Sequence, residues 1–172
     1  MWKERLTEEH GLSFSVDYSS VLLTGDGVTT DNASSGMVRF YGAWDLVNPG
    51  TPDTGAFIWK IEHRHGYTDL PPSGFALGEL GYVGIREPPF SDQGFRTTNL
   101  YGRQRFNDGR TAMVAGFLDT TDYVDVYALA NLWLHFMNFA FSIGSATIGL
   151  PNDATLGAAV GPTTAEPSRR NR

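Results

Sequence analysis

From Gly11 onward the chain is governed by a period of two. Leu12, Phe14, Val16 and Tyr18 alternate with Ser13, Ser15, Asp17 and Ser19, the pattern of a half-exposed strand. A loop rich in Gly, Asp, Asn, Thr and Ser is predicted from Thr24 to Gly36, after which Val38, Phe40, Trp44 and Leu46 alternate with Arg39, Tyr41 and Asp45. The turn formers Asn48-Pro49-Gly50-Thr51-Pro52-Asp53 precede a third strand, with Phe57, Trp59 and Ile61 on one face and Lys60, Glu62 and Arg64 on the other. Glu79 to Arg86 reads as strand, ended by Pro88-Pro89. A hairpin is then expected: Thr97 to Phe106, the turn Asn107-Asp108-Gly109, and Arg110 to Leu118. In its first arm Tyr101, Arg103 and Arg105 share one face, while Leu100, Gly102, Gln104 and Phe106 share the other.

The remaining segments follow other rules. Before Gly11, Trp2 to Glu9 is rich in helix formers and predicts a helix of about two turns. Thr120 to Pro151 has no clean period and reads as a long excursion, helical in part through Val126 to Phe136. Leu156 to Val160 begins another strand, and Pro162 to Arg172 reads as a polar, flexible tail.

Composition changes the picture in two places. Aromatic residues make up 13% of the 172 residues and charged ones only 19%, which is too much ring for a disordered chain. The longest nearly uncharged stretch, Val126 to Pro151, is broken by Asn131, His135, Asn138, Ser142 and Gly144, so no membrane helix is expected. A barrel strand needs no such run, because it hides its hydrophobicity in alternation. The formal net charge of −6 and the scattered basic residues exclude a nucleic-acid partner. Cysteine is absent, which removes disulfides and thiolate metal sites. The first residues lack an apolar signal-peptide core, so the expectation is a mature form or a missing true beginning.

The third strand poses the central alternative. A soluble sandwich turns Phe57, Trp59 and Ile61 inward; a pore turns them to lipid and turns Lys60, Glu62 and Arg64 to water. Periodicity does not choose. For an enzyme, a glycoside hydrolase could pair Glu62 with Asp119 or Glu79, but any acidic β-protein offers such pairs. Ser91 and Ser145 lack a nucleophile-elbow pattern, and Gly25-Asp26-Gly27 does not open a phosphate-binding helix. His63 and His65 point the same way on a strand, yet no third ligand is near in sequence, so no metal and no cofactor are expected.

Several segments, in order and spacing, resemble the carbohydrate-selective porins of Gram-negative outer membranes. They are Gly109-Arg110, Val114-Ala115-Gly116-Phe117-Leu118-Asp119, Asp122 to Ala128, Phe136 to Phe141, Pro151 and Leu156-Gly157-Ala158. Tyr41-Gly42-Ala43-Trp44-Asp45-Leu46 and Leu80-Gly81-Tyr82-Val83-Gly84 add to the likeness, which spans most of residues 2–161. The resemblance implies an all-β fold, a transmembrane antiparallel β-barrel narrowed by inserted loops, of which this chain would hold about the first half. Its organisation would be a helix at 1–9, a partial barrel at 10–161 and a tail at 162–172. The chain departs from that pattern in lacking a terminal aromatic residue, and truncation or a frame change after Gly161 is the expectation that follows.

By the same resemblance the protein would not be an enzyme. It would pass sugars and small ions passively across the outer membrane, with lipid around it, and a homo-oligomer of the full-length parent is one assembly the family allows. Arg39, Lys60, Glu62, Arg64, Arg103 and Arg105 are then expected to line the lumen, since each lies on the polar side of its strand. The excursion from Asp119 to Asn138 would fold into the channel, offering Asp119, Asp122 and Asp125, with Tyr123, Tyr127 and Trp133 as sugar platforms or as wall packing. A soluble β-sandwich that binds carbohydrate, and a glycoside hydrolase, stand as the alternatives.

Overall fold

The computed structural model describes residues 2–81, 90–119, 122 and 154–163. Its elements are helix α1 (Trp2–His10), strands β1 (Leu12–Thr24), β2 (Asn32–Val47) and β3 (Gly55–Gly66), helix α2 (Pro72–Gly78), and strands β4 (Gly94–Phe106), β5 (Thr111–Leu118) and β6 (Thr155–Pro162). The strands form a six-stranded sheet in the order β1-β2-β3-β4-β5-β6. Each pair is antiparallel, so the chain is a simple meander. Among the described residues the sheet is open, with β1 and β6 as its edges.

Register carries the alternation from strand to strand. Val16 faces Phe40, Phe40 faces Ile61 and Ile61 faces Thr97, while Asp17 faces Arg39, Arg39 faces Glu62 and Glu62 faces Arg96. One face is therefore mainly apolar, interrupted by Thr97, Gln104, His63 and His65, and the other carries the charges. The hairpin between β4 and β5 closes at Asn107 and Asp108, whose φ values of 58° and 56° are left-handed values that these two residue types tolerate. Because the strands run up and down, the turn 107–110 and the seven-residue connection 48–54 lie at one end of the sheet. The connection 25–31, of the same length as 48–54, lies at the other end, where the long connections 67–93 and 119–154 leave and rejoin the strands.

Both helices are fastened to the sheet. Trp44 Nε1 donates to the His10 carbonyl at 3.1 Å, and the Trp2 ring lies tilted 6.0 Å from that of Phe14, which pins α1 over the start of β1. Helix α2 starts with Pro72 in its first turn, where the missing N–H costs nothing. It packs against β1 and β2 and buries Phe75 and Ala76, while Ala33, Ser35 and Met37 on the charged side of β2 are completely buried. Full burial of a phenylalanine is worth about 2–3 kcal/mol, enough to hold a helix of only two turns in place.

Two expectations from the sequence are corrected. The polar loop ends at Asp31 rather than Gly36, because Ser34, Ser35 and Gly36 are strand residues kept small by what lies over them. Glu79 and Leu80 are not strand but the turn after α2, and Glu79 Oε2 accepts a hydrogen bond from the Thr29 N–H at 2.9 Å. Gly81 is likewise outside any strand, and residues 82–86 of that expected strand lie outside the described residues. The remaining strands and the hairpin stand close to where the alternation puts them, and β6 covers Leu156 to Val160.

Candidate functional site

The charged face is built from facing pairs. Arg39 Nη2 donates to Asp17 Oδ2 across the β1–β2 ladder at 3.0 Å, and the Tyr41 hydroxyl donates to the same oxygen at 3.0 Å. On β3, Arg64 donates from Nη2 and Nε to Glu62 Oε2 at 2.6 and 3.0 Å. Lys60 Nζ and Asn99 Nδ2 converge on Asp122 Oδ2, each at 2.7 Å, and the Asp119 N–H donates to Asn99 Oδ1 at 3.0 Å. These contacts tie Asp119 and Asp122 to the middle of the charged face, so the start of the excursion lies on that side of the sheet. Trp133, with Tyr123, Asp125 and Tyr127, lies outside the described residues.

Arg103 and Arg105 sit on the same face, further toward the short turns. Their neighbours across the ladders are Ala56, Val114 and Ala112, so no carboxylate stands opposite either of them. The Nε atoms of both are buried without a hydrogen-bond partner among the described residues. A buried donor left unused costs about 1–3 kcal/mol, and such groups need a reason.

A register shift between Lys60 and Ile61 decides which β4 residues join the site. Asn99 pairs with Lys60 and Thr97 with Ile61, so Thr98 is the extra residue of a β-bulge. Arg96 therefore shares a face with Asn99, Tyr101, Arg103 and Arg105 despite its even number, and pairs with Glu62. Strict alternation hides Arg96; the polar doublet Thr97-Thr98 is the only trace of the bulge in the sequence. Asp17 and Asn99 were likewise missed as site residues, since nothing local marks a partner that lies across a ladder. Next to Tyr101, Gly116 has φ 143°, and a Cβ there would lie 2.8 Å from Tyr101 Cβ. The ring of Tyr101 needs that bare backbone.

Two hollows open along this arrangement. One of about 410 Å³ is lined by Ser13, Ser15, Tyr41, Lys60, Asn99 and Asp122, among others. Another of about 240 Å³ is lined by Arg64, Gln93, Arg96, Thr98 and Asp119, among others. The first falls in the range of small-molecule sites; its lining is mainly apolar, with Phe14, Ile58 and Trp59 beside the hydroxyls of Ser13, Ser15 and Tyr41 and the bonded group Lys60, Asn99 and Asp122.

The accessibility of the two faces runs opposite to that of a water-soluble sheet. On the apolar face Phe95 and Leu156 are each 81% exposed, Val160 73%, Leu22 64% and Val16 61%. On the charged face the side chains of Glu62, Arg64 and Arg39 are only 6%, 11% and 14% exposed. Phe40, Trp44, Phe57, Leu100, Phe106 and Met113 extend the exposed apolar face over the sheet. Together they amount to an apolar surface on the order of 1,000 Å², against roughly 300–600 Å² for the largest patch on a typical soluble monomer. No helix among the described residues is long and apolar enough to cross a membrane, a fact without bearing on strands.

No protein-family model, curated protein or solved structure matches this chain.

Proposed function

We infer that the sheet is an arc of a transmembrane β-barrel and that the protein provides a passive path for sugars and small ions through an outer membrane. The observation that carries this reading is the inverted accessibility: large apolar side chains exposed across six strands, charges sheltered on the reverse. Lipid is the solvent that suits the first face, and a water-filled lumen with fixed counter-charges suits the second.

Other features support it. The two long connections, 67–93 and 119–154, both leave from one end of the sheet, as long loops do in outer-membrane barrels. The apolar face is bounded by aromatic groups at both ends, Trp2, Trp44, Phe57 and Phe106 beside the short turns and Tyr18, Tyr67 and Phe95 toward the long loops. Within lipid the edges β1 and β6 need partners, since unpaired backbone groups there cost several kcal/mol each, so further strands close the barrel.

The lumen assignment takes Arg39, Lys60, Glu62, Arg64, Arg103 and Arg105 as wall, with Arg96 added. Paired charges keep the wall neutral over most of its length, and Arg103 and Arg105, with no carboxylate across either ladder, leave a positive stretch toward the 107–110 turn. Helix α2 and the Asp119–Asp122 segment both lie on the charged side, where they narrow the path. The hydrolase alternative is less favoured by the same geometry, because Glu62 is engaged at 2.6 Å by Arg64 and almost fully covered.

Site-directed spin labelling tests the orientation, and the lack of cysteine makes single-site labelling direct. Labels at Phe57 and Ile61 are expected to collide with oxygen dissolved in lipid, and labels at Lys60 and Glu62 with a water-soluble nickel chelate. The reverse pattern, or equal access to both reagents at all four positions, overturns the reading.

A further inference from the structure

At the long-loop end of the apolar face a polar cluster interrupts the hydrocarbon surface. His63 and His65 stand side by side on β3, half-buried, with rings 5.4 Å apart. Their Nδ1 atoms face each other at 3.4 Å. The other ring nitrogen of His65, Nε2, lies 3.1 Å from the Tyr18 hydroxyl, which is hydrogen-bonded in turn to the Tyr67 hydroxyl. All three polar tips gather over Gly36, where any Cβ would collide with them. The site is thus given space by a glycine on the next strand.

One of the two proton arrangements open to this chain of groups leaves a lone pair pointed at His63: where Tyr18 donates to Tyr67, its oxygen accepts the Nε2–H of His65, and His65 Nδ1 is unprotonated. The separation to His63 Nδ1 is long for an N–H···N bond, whose useful range ends near ~3.2 Å. It does match another geometry. Two nitrogens bound about 2.0–2.1 Å from a tetrahedral ion stand about 3.3–3.4 Å apart.

We propose that His63 and His65 form a two-nitrogen chelate for a borderline divalent cation, Zn²⁺ or Cu²⁺, with Tyr18 as the positioning residue that fixes the His65 tautomer. The remaining coordination positions are filled by water, since no group of three or more His, Cys, Asp or Glu side chains comes together among the described residues. Both imidazoles bind as neutral ligands. The His63 proton resides on Nε2 in the complex, so neutral histidines release no proton on binding. The hydrogen bond from His65 Nε2 to Tyr18 is the outer contact that metal-ligating histidines ordinarily make, and its loss typically costs about tenfold or more in affinity. The spacing His-x-His was visible in the sequence, but it did not show that the two Nδ1 atoms converge or that Tyr18 orients one of the rings. This site does not depend on the channel reading, because it needs only the local geometry of β1, β2 and β3.

The test is calorimetric titration of the full chain in detergent micelles with zinc chloride at neutral pH, with copper(II) electron paramagnetic resonance alongside. One equivalent is expected to bind in the micromolar range, with a copper spectrum split by two imidazole nitrogens. His63→Ala and His65→Ala should each weaken binding by about tenfold or more, Tyr18→Phe should weaken it without changing the stoichiometry, and His10→Ala should change nothing. Circular dichroism of each variant confirms an unchanged sheet; if an alanine variant loses its fold, His63→Gln and His65→Gln replace it. Absence of saturable binding, binding that survives both histidine substitutions, or a copper spectrum with a single nitrogen overturns the proposal.

Discussion

Val16 offers the sharpest measure of what solvent surrounds the apolar face. It lies within β1, pairs with Phe40 and is 61% exposed, so it has little packing to lose. Replacing it by arginine forfeits at most about 1 kcal/mol of burial, part of which the arginine methylenes recover. If water bathes this face the total cost stays within about 1 kcal/mol, as for surface substitutions generally. If hydrocarbon bathes it, an arginine near mid-span costs about 2–4 kcal/mol, falling to about 0–1 near the membrane interfaces. Leu46, 55% exposed beside the short turns, supplies the control at an interface. Urea unfolding in phospholipid vesicles, followed by tryptophan fluorescence, should therefore place Val16→Arg about 2 kcal/mol below Leu46→Arg, a factor of about thirty in the folding constant. Equal costs for the two variants, or a Val16→Arg cost within about 1 kcal/mol, would refute the lipid-facing assignment.

Other perturbations follow from the charged face and its cover. Glu62→Gln removes the carboxylate that binds Arg64 at 2.6 Å and should cost about 1–3 kcal/mol in the same unfolding assay. Gly116→Ala forces a side chain into an unfavourable φ and onto Tyr101, and a loss of about 1–3 kcal/mol is expected by denaturant titration. Phe75→Ala should loosen α2 for about 3–5 kcal/mol and raise protease cleavage in residues 67–81. Asp122→Asn removes the carboxylate that neutralises Lys60, so planar-bilayer recordings of the closed barrel should show its ion preference moving toward anions.

The elements that rest on alternation were legible in the sequence; those that rest on contacts across the chain were not. Phe57 to Arg64 announces both faces of β3 because each residue there obeys a period of two. Asn107-Asp108-Gly109 announces its turn because few residue types tolerate the required φ. Helix α2 left no such mark, since seven residues make fewer than two full turns, and its stability comes from Phe75 buried against the sheet. Ser34-Ser35-Gly36 reads as loop by composition, and only the bulk lying over it explains why small polar residues belong in a strand. Among the site residues, Arg39, Lys60, Glu62, Arg64, Arg103 and Arg105 do share a face, but their partners Asp17, Asn99 and Asp122 are fixed by register, which no local pattern encodes.

The bulge at Thr98 lets this strand absorb the loss of one codon. Deleting Thr98 would set Thr97 against Ile61 and Asn99 against Lys60 in an unbroken ladder, so Phe95 and Arg96 before the deletion and Leu100, Tyr101, Arg103 and Arg105 after it would all keep their present faces. Deleting a residue such as Ile61 from β3, which has no spare position, would instead turn one half of that strand over.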